Sequence, residues 1–178
     1  MNPTQTVDDA VRALPADVDL LAGVLPLATI WPFADLLFGG ALLVAVVVLH
    51  GGGVRLIDGF FRKHCSAFAG RTTSSLRFDV LFGTVIFLLL ALHLGEIVFW
   101  TAALVYSKLV VDWRSAAFFV ANTYTTVGYG TFVLQPAWNM LAPIIAISGL
   151  FTFGWTGSVL VGYVNMLNRA RHGPDPVP

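Results

Sequence analysis

The sequence predicts an all-α membrane protein with three transmembrane helices, a re-entrant helix and a loop that follows this helix. Of the 178 residues, 57% are hydrophobic and 11% are charged, whereas soluble domains carry roughly 25% charged residues. The apolar residues concentrate in three long runs. Residues 113–124, between the second and third runs, are too few to cross a bilayer. The single cysteine, Cys65, excludes an intramolecular disulfide.

The first fifty residues are predicted to form a lead-in and one transmembrane helix. Residues 1–32, the extracytoplasmic lead-in, are polar and acidic at their start and are interrupted by Pro26 and Pro32, which disfavour a continuous helix. Residues 33–50 form an apolar run with a single charge, about the minimum of roughly 17 to 25 residues that a spanning helix needs. Three consecutive glycines, 51–53, predict the end of this helix.

Residues 51–77 are predicted to be a cytoplasmic loop that contains an amphipathic helix over residues 54–68. Apolar side chains recur there at roughly helical spacing among basic ones, a pattern typical of a helix that lies on an anionic leaflet. A solvated basic loop is the alternative.

The basic residues predict the orientation of the chain in the membrane. Seven of them lie on the side of residues 51–77 and of the C-terminus and three lie on the other side, so the first side is expected to be cytoplasmic. The seven are Arg55, Arg62, Lys63, Arg71, Arg77, Arg169 and Arg171, and the three are Arg12, Lys108 and Arg114.

The second span, residues 78–106, carries two ionisable side chains near its middle. His93 and Glu96 are three residues apart and therefore share a helical face. Ionisable groups inside a membrane are costly and usually face protein or water. One interpretation is a modulatory pair that senses protons or takes part in gating. The favoured alternative is a structural hydrogen bond to the neighbouring short helix.

The short helix, residues 113–124, follows Asp112, which is a good N-cap residue. A buried helix of this length is the re-entrant case that a bilayer permits. Its C-terminal end would direct a partial negative charge towards a central axis and favour a cation there. Residues 125–130, which follow directly, are therefore placed next to that axis.

Residues 125–130 read Thr-Thr-Val-Gly-Tyr-Gly, a polar string between two apolar runs. Gly128 and Gly130 allow backbone conformations with φ > 0, which residues with a Cβ resist. Successive carbonyls can then face the same way and form a row of oxygen dipoles for a dehydrated cation. One chain supplies one wall, so closed rings require several copies, and a symmetric tetramer is the natural count. A β-turn in a soluble hairpin is the alternative.

This string resembles the selectivity filter of potassium channels, and the order of elements over residues 78–167 is similar to the two-helix pore module of the potassium channel superfamily. The segment from His93 to Ile97, with Trp100 and Tyr106, is similar to small bacterial two-pore-domain-like proteins. The resemblance implies K⁺ as the permeant ion, with no other cofactor. The ion-binding residues would be Thr126, Val127, Gly128, Tyr129 and Gly130, supported by Trp113, Asn122, Thr125 and Thr131.

The last span, residues 137–167, resembles an inner helix whose gating hinge would be Gly149. Pore-lining residues are predicted from a shared helical face; they are Leu150, Phe153, Gly157, Ser158 and Val161. Gly154 and Ser158 form a pair of small residues suited to close helix contact. The sequence departs from the family pattern at two positions around the filter, since Asn122 and Thr131 stand where acidic residues are usual.

The expected function is passive, potassium-selective conduction through a homotetramer in the cell inner membrane, with the N-terminus outside and the tail, residues 168–178, in the cytoplasm. The partners would be potassium ions, lipid and further copies of the chain. No basic tract indicates nucleic acid, and no arrangement of residues indicates an enzyme. The alternatives are a weakly selective cation channel and a non-conducting membrane subunit that regulates another channel.

Overall fold

The computed structural model describes residues 33–68, 75–130 and 132–172, so the predicted lead-in over residues 1–32 lies outside the described part of the chain. Within these ranges all regular elements are helices. Three of them are long and apolar enough to cross a membrane, over Ala34–Cys65, Leu76–Tyr106 and Pro136–Arg169. In chain order the elements are α1 (Ala34–Phe68), α2 (Ser75–Tyr106), α3 (Trp113–Tyr124), a 3₁₀ turn (Pro136–Trp138) and α4 (Leu141–His172).

The three long helices pack side by side, with α2 antiparallel to α1 and α4. One apolar cluster joins the N-terminal half of α1 to the C-terminal end of α2, to α3 and to the start of α4. A second cluster joins the C-terminal half of α1 to the start of α2 and the end of α4. Central members of the first are Val46, Trp100, Leu104, Val120, Tyr124 and Ile145, and of the second Phe61, Val85, Leu89, Tyr163 and Leu167.

The predicted end of the first helix at residues 51–53 is wrong, because α1 runs through these glycines without a break. None of the three has the positive φ of a glycine that ends a helix. Two of them lie where neighbouring helices approach closely. A Cβ at Gly51 would lie 3.1 Å from the Trp155 ring, and one at Gly53 would lie 2.5 Å from a Leu92 methyl group. Packing against α2 and α4 therefore outweighs the poor helix propensity of glycine, about 1 kcal/mol per residue.

The amphipathic pattern over residues 54–68 is real, but its apolar face packs on the other helices. Val54, Ile57 and Phe61 are buried against α2 and α4. The Phe61 ring lies 4.4 Å from the Tyr163 ring, measured between centroids. Neither a separate surface-lying helix nor a solvated loop is formed here, since this segment is the continuation of α1.

The boundaries of the other helices agree with the sequence more closely. The predicted short helix over residues 113–124 is confirmed at both ends. The last span is interrupted after the 3₁₀ turn and continues to His172 instead of ending at residue 167. Pro143 lies in the first turn of α4, where its missing N–H costs little because helix-start N–H groups have no intrahelical partner.

Candidate ion pathway and its buried hydrogen-bond network

The short helix α3 begins at a well-formed N-cap. The Asp112 carboxylate accepts a hydrogen bond of 2.7 Å from the Ser115 amide N–H, which satisfies one of the helix-start donors. Hydrogen bonds from Ser115 lower the pKa of Asp112 below its usual range. The predicted role of Asp112 at the helix start is therefore confirmed.

The string 125–130 leaves the C-terminal end of α3 in an irregular conformation. Thr126 has φ of +59° and Gly128 has φ of +66°, and no positive φ occurs at Val127 or Gly130. The left-handed conformation was expected at glycines, and Thr126 adopts it despite its Cβ. Alternation between left-handed and other conformations turns successive peptide groups to one side. The string is exposed, with Val127 at 66% and Tyr129 at 76%.

Two of the residues predicted to support the string, Asn122 and Thr125, make hydrogen bonds at the end of α3. The Asn122 carbonyl oxygen accepts a hydrogen bond of 3.3 Å from the Gly128 N–H, while the Asn122 side-chain amide donates within α3 to the Phe118 carbonyl. The Thr125 hydroxyl donates to the Ala121 carbonyl at 2.7 Å. A cavity of about 180 Å³ separates the string from α3; its walls include Phe118, Phe119, Asn122, Gly128 and Phe132.

Two other predicted support residues are not part of this arrangement as described. Trp113 is the first residue of α3, at the end of the helix opposite to the string, and is 47% exposed. Thr131 lies outside the described residues. Their roles stay predictions.

Tyr124, the last residue of α3, is completely buried behind the string and makes three side-chain hydrogen bonds. Its hydroxyl donates to Glu96 Oε2 in a very short contact. The same oxygen lies 3.0 Å from His93 Nδ1 and 2.7 Å from the Thr152 hydroxyl. Hydrogen bonds from His93 and Glu96 to the neighbouring short helix are thus present, as one of the two interpretations predicted, and a modulatory role of the pair stays a prediction.

His50 from α1 completes this network. Its Nδ1 lies 2.7 Å from Glu96 Oε1, and its Nε2 lies 3.4 Å from the Thr156 hydroxyl. The Thr156 hydroxyl also lies 3.0 Å from His93 Nε2. His50, Glu96, Tyr124, His93 and Thr156 therefore form a closed ring of five side chains, here called the buried ring, to which all four α-helices contribute.

Two histidines and one carboxylate, which are ligand types of zinc sites, come together in the buried ring. Ligand atoms of His50, His93 and Glu96 lie within 4.8 Å of one another. Two ligands of a tetrahedral zinc ion, with bonds of roughly 2.0–2.1 Å, lie about 3.3 Å apart. The 2.7 Å separation between His50 Nδ1 and Glu96 Oε1 is shorter and fits a shared proton. The arrangement is a hydrogen-bond network and does not fit a metal centre.

Comparison with known protein families decides the class of this arrangement. Residues 80–165 match the family model described as an ion channel. This match indicates an ion channel domain over these residues. The match agrees with the resemblance of the pore module to the potassium channel superfamily, and it indicates ion transport and not catalysis. No curated protein and no solved structure matches the chain. With its three spanning helices, the chain is a multi-pass membrane protein.

Within the ion channel domain, Gly149 lies where α4 touches the end of α3. A Cβ at this position would overlap the Tyr124 carbonyl oxygen. One residue earlier, the Ser148 hydroxyl accepts a hydrogen bond of 3.0 Å from the Trp100 indole N–H. The structure thus gives Gly149 a packing role inside an unbroken helix, and the hinge role stays a prediction.

The predicted pore-lining residues lie on an exposed face of α4, away from the other helices of the same chain. Leu150, Gly157, Ser158 and Val161 are all exposed. Phe153 is partly exposed and also touches the buried ring, because its phenyl group stacks on the His93 imidazole with a centroid distance of 4.3 Å. Nothing within 4 Å would meet a Cβ at Gly154. This face is free for contact with ions or with further copies of the chain.

Three members of the site were not predicted from the sequence: His50, Tyr124 and Thr156. The polar residues Ser148, Thr152 and Thr156 recur at a spacing of four in an otherwise apolar helix, and this stripe was a signal of a buried polar face. The signal for His50 was hidden by the wrong helix end at residue 51, because a histidine at a helix terminus needs no buried partner.

Proposed function

We propose that this protein is a potassium-selective channel in which four copies of the chain surround one pore. The observation that carries the proposal is the exposed string 125–130, which projects from the C-terminal end of α3 with left-handed residues at Thr126 and Gly128. Each copy contributes one wall of carbonyl oxygens, from Thr126, Val127, Gly128 and Tyr129. Rings of such oxygens replace the hydration shell of K⁺.

The exposure of the string in a single chain supports assembly. Val127 and Tyr129 are large hydrophobic side chains that face solvent in one copy, and neighbouring copies would cover them. The face of α4 with Leu150, Phe153 and Val161 is similarly exposed and apolar. Both surfaces belong to the elements that would surround a central axis, so the same symmetric assembly would bury them together.

The topology supports an orientation with the string on the extracytoplasmic side. The C-terminal ends of α1 and α4 and the start of α2 lie at one end of the bundle, as the second apolar cluster shows. Basic residues collect at this end, including Arg55, Arg62 and Arg77. The excess of basic residues on cytoplasmic segments supports a cytoplasmic position for this end at the cell inner membrane, with the string outside. The C-terminus would then be cytoplasmic.

The test is potassium flux from liposomes that contain the purified protein. We expect flux that favours K⁺ over Na⁺ and is blocked by Ba²⁺, an ion of similar radius with twice the charge. We also expect a detergent-solubilised complex with the mass of four chains. A Gly128→Asp variant removes the left-handed glycine and should abolish the flux.

The outcomes separate the proposal from its alternatives. Equal flux of Na⁺ and K⁺, measured as reversal potentials in planar bilayers, would indicate a weakly selective cation channel. Flux that is the same for wild-type protein and the Gly128→Asp variant would refute conduction through this string and favour a non-conducting subunit of another channel.

A further inference from the structure

His50 lies outside the ion channel domain, yet it is completely buried against side chains of α2 and α4 within that domain. Its Nδ1 meets Glu96 Oε1 at 2.7 Å, and Glu96 Oε2 accepts the Tyr124 hydroxyl. Tyr124 directly precedes Thr125, the first residue of the string. We propose that His50 is a positioning residue of the ion pathway, which acts on the string through Glu96 and Tyr124. This inference rests on the proposed function.

His50 would hold the Glu96 carboxylate in the position in which it contacts Tyr124. Glu96 is completely buried, and a buried carboxylate is tolerated only when its oxygens have hydrogen-bond donors. Tyr124 supplies the donor for one oxygen and His50 supplies it for the other. His93 Nδ1 is 3.7 Å from Glu96 Oε2, beyond hydrogen-bond distance. Without His50, Oε1 has no close donor on the described residues, and the carboxylate would turn away from its present contact with Tyr124.

Counting protons in the buried ring shows what His50 adds. The ring has five contacts, and each of them needs one proton between its two heavy atoms. With an ionised Glu96 and two neutral histidines, the five side chains carry only four protons, one each on Tyr124, Thr156, His50 and His93. The Thr156 hydroxyl then faces two imidazole acceptors with one proton. With one additional proton, His50 donates from Nδ1 to Glu96 and from Nε2 to Thr156, and all five contacts then have a proton.

When the extra proton leaves, the contact between His50 Nε2 and the Thr156 hydroxyl is lost, because it is the longer of the two contacts that Thr156 makes with the histidines. Thr156 lies 3.0 Å from His93 Nε2 but 3.4 Å from His50 Nε2, so its hydroxyl proton stays with His93. His50 Nε2 loses its contact with α4, while Nδ1 still donates to Glu96. The ring is therefore complete with five protons and open on the α1 side with four.

The groups that surround the ring contribute few other charges. At this site α1 presents His50, α2 presents His93 and Glu96, and α3 presents the Tyr124 hydroxyl. The described part of α4 presents hydroxyl groups and aromatic rings here and no charged side chain. Among these are Thr152, Thr156, Phe153 and Trp155, whose ring centroid lies 5.3 Å from that of His50.

The experiment compares three variants of full-length protein in liposomes. His50→Leu removes the contacts of residue 50 with Glu96 and with Thr156. His50→Asn keeps an amide N–H at the position of Nδ1 but has no group that titrates. His64→Asn is the matched control, because His64 lies on the same helix and bonds the Phe60 carbonyl at 2.8 Å, outside the ring. Potassium flux and the ratio of K⁺ to Na⁺ flux are measured between mildly acidic and mildly alkaline pH.

We expect His50→Leu to lower the K⁺ flux about tenfold, since a buried charged acceptor loses its donor, and to lower selectivity. His50→Asn should recover most of this loss. Wild-type flux should fall about threefold as the ring loses its proton and one contact, and His50→Asn should lack this pH dependence. His64→Asn should behave as wild type. Wild-type flux and selectivity in His50→Leu, or an unchanged pH profile in His50→Asn, would overturn the inference.

One further measurement keeps the inference separate from the proposed function. If His50→Leu does not assemble, the pH profiles of wild type and His50→Asn still decide. If the wild-type protein conducts no K⁺, nitrogen NMR of the histidine side chains reads the ring directly. A resonance that is lost in His50→Asn should show both ring nitrogens protonated at low pH. A neutral His50 over the whole pH range would refute the additional proton in the buried ring, whether or not the protein conducts K⁺.

Discussion

Replacing Tyr124 with phenylalanine removes one oxygen atom from the centre of the buried ring and keeps the aromatic ring in place. Three contacts are lost. The donor to Glu96 is the costly one, because a hydrogen bond to a charged group contributes about 1.5–3 kcal/mol. His93 Nδ1 loses its acceptor at 3.0 Å, whereas Thr152 keeps its bond to the Ser148 carbonyl at 3.0 Å. We expect the free energy of unfolding to fall by about 2–4 kcal/mol for each chain.

The matched control is Tyr163→Phe. Tyr163 is also a buried tyrosine, at 3% exposure, but its hydroxyl has no hydrogen-bond partner among the described residues. Removing an unpartnered buried hydroxyl should leave stability unchanged or raise it by about 1 kcal/mol. The two variants therefore remove the same atom from the same residue type with opposite expected results.

The assay is the midpoint of thermal unfolding of purified protein in detergent, followed by potassium flux from liposomes. Tyr124→Phe should unfold several degrees lower than wild type and conduct less, and Tyr163→Phe should do neither. If both variants lost stability equally, the network around Tyr124 would contribute no more than aromatic packing, and the reasoning would be refuted.

Three other predictions concern helix contacts. Gly149→Ala should lower stability by about 1–3 kcal/mol or prevent assembly, because its Cβ overlaps the Tyr124 carbonyl; wild-type unfolding and flux would contradict this. Gly53→Ala should destabilise, while Gly52→Ala, with nothing within 4 Å of its Cβ, should stabilise by up to about 1 kcal/mol; unfolding midpoints that rank the other way would contradict the packing argument. Asp112→Ala should lower the unfolding midpoint at neutral pH. Because the pKa of Asp112 is lowered in the fold, this difference from wild type should vanish as acid protonates the carboxylate, and unfolding scans over an acidic pH series test it.

Local chemistry allowed much of the fold to be predicted. The short helix was located at both ends because Asp112 is an N-cap and the polar string begins directly after Tyr124. The spans were located by hydropathy. The role of Glu96 was predictable in kind, since a carboxylate in a membrane helix needs a donor, but its partner Tyr124 depends on how α2 and α3 pack together.

The failed prediction at residues 51–53 has a physical cause. Whether glycines end a helix depends on what surrounds them, and here Trp155 and Leu92 pack closely against the glycine backbone. Those neighbours come from helices far along the chain. A local rule for helix ends therefore divided α1 in two and concealed His50.

The pairing of His50 with Glu96 also has a consequence for how the protein enters the membrane. A carboxylate in the middle of a spanning segment resists transfer into hydrocarbon, at a cost of a few kcal/mol. His50 precedes Glu96 by 46 residues, so synthesis delivers α1 to the bilayer before α2. When α2 follows, Glu96 can pair with the His50 imidazole that is already present, and α1 and α2 can then enter the lipid together as a helical hairpin. The order of synthesis would thus lower the cost of inserting Glu96 before α3 and Tyr124 have been made.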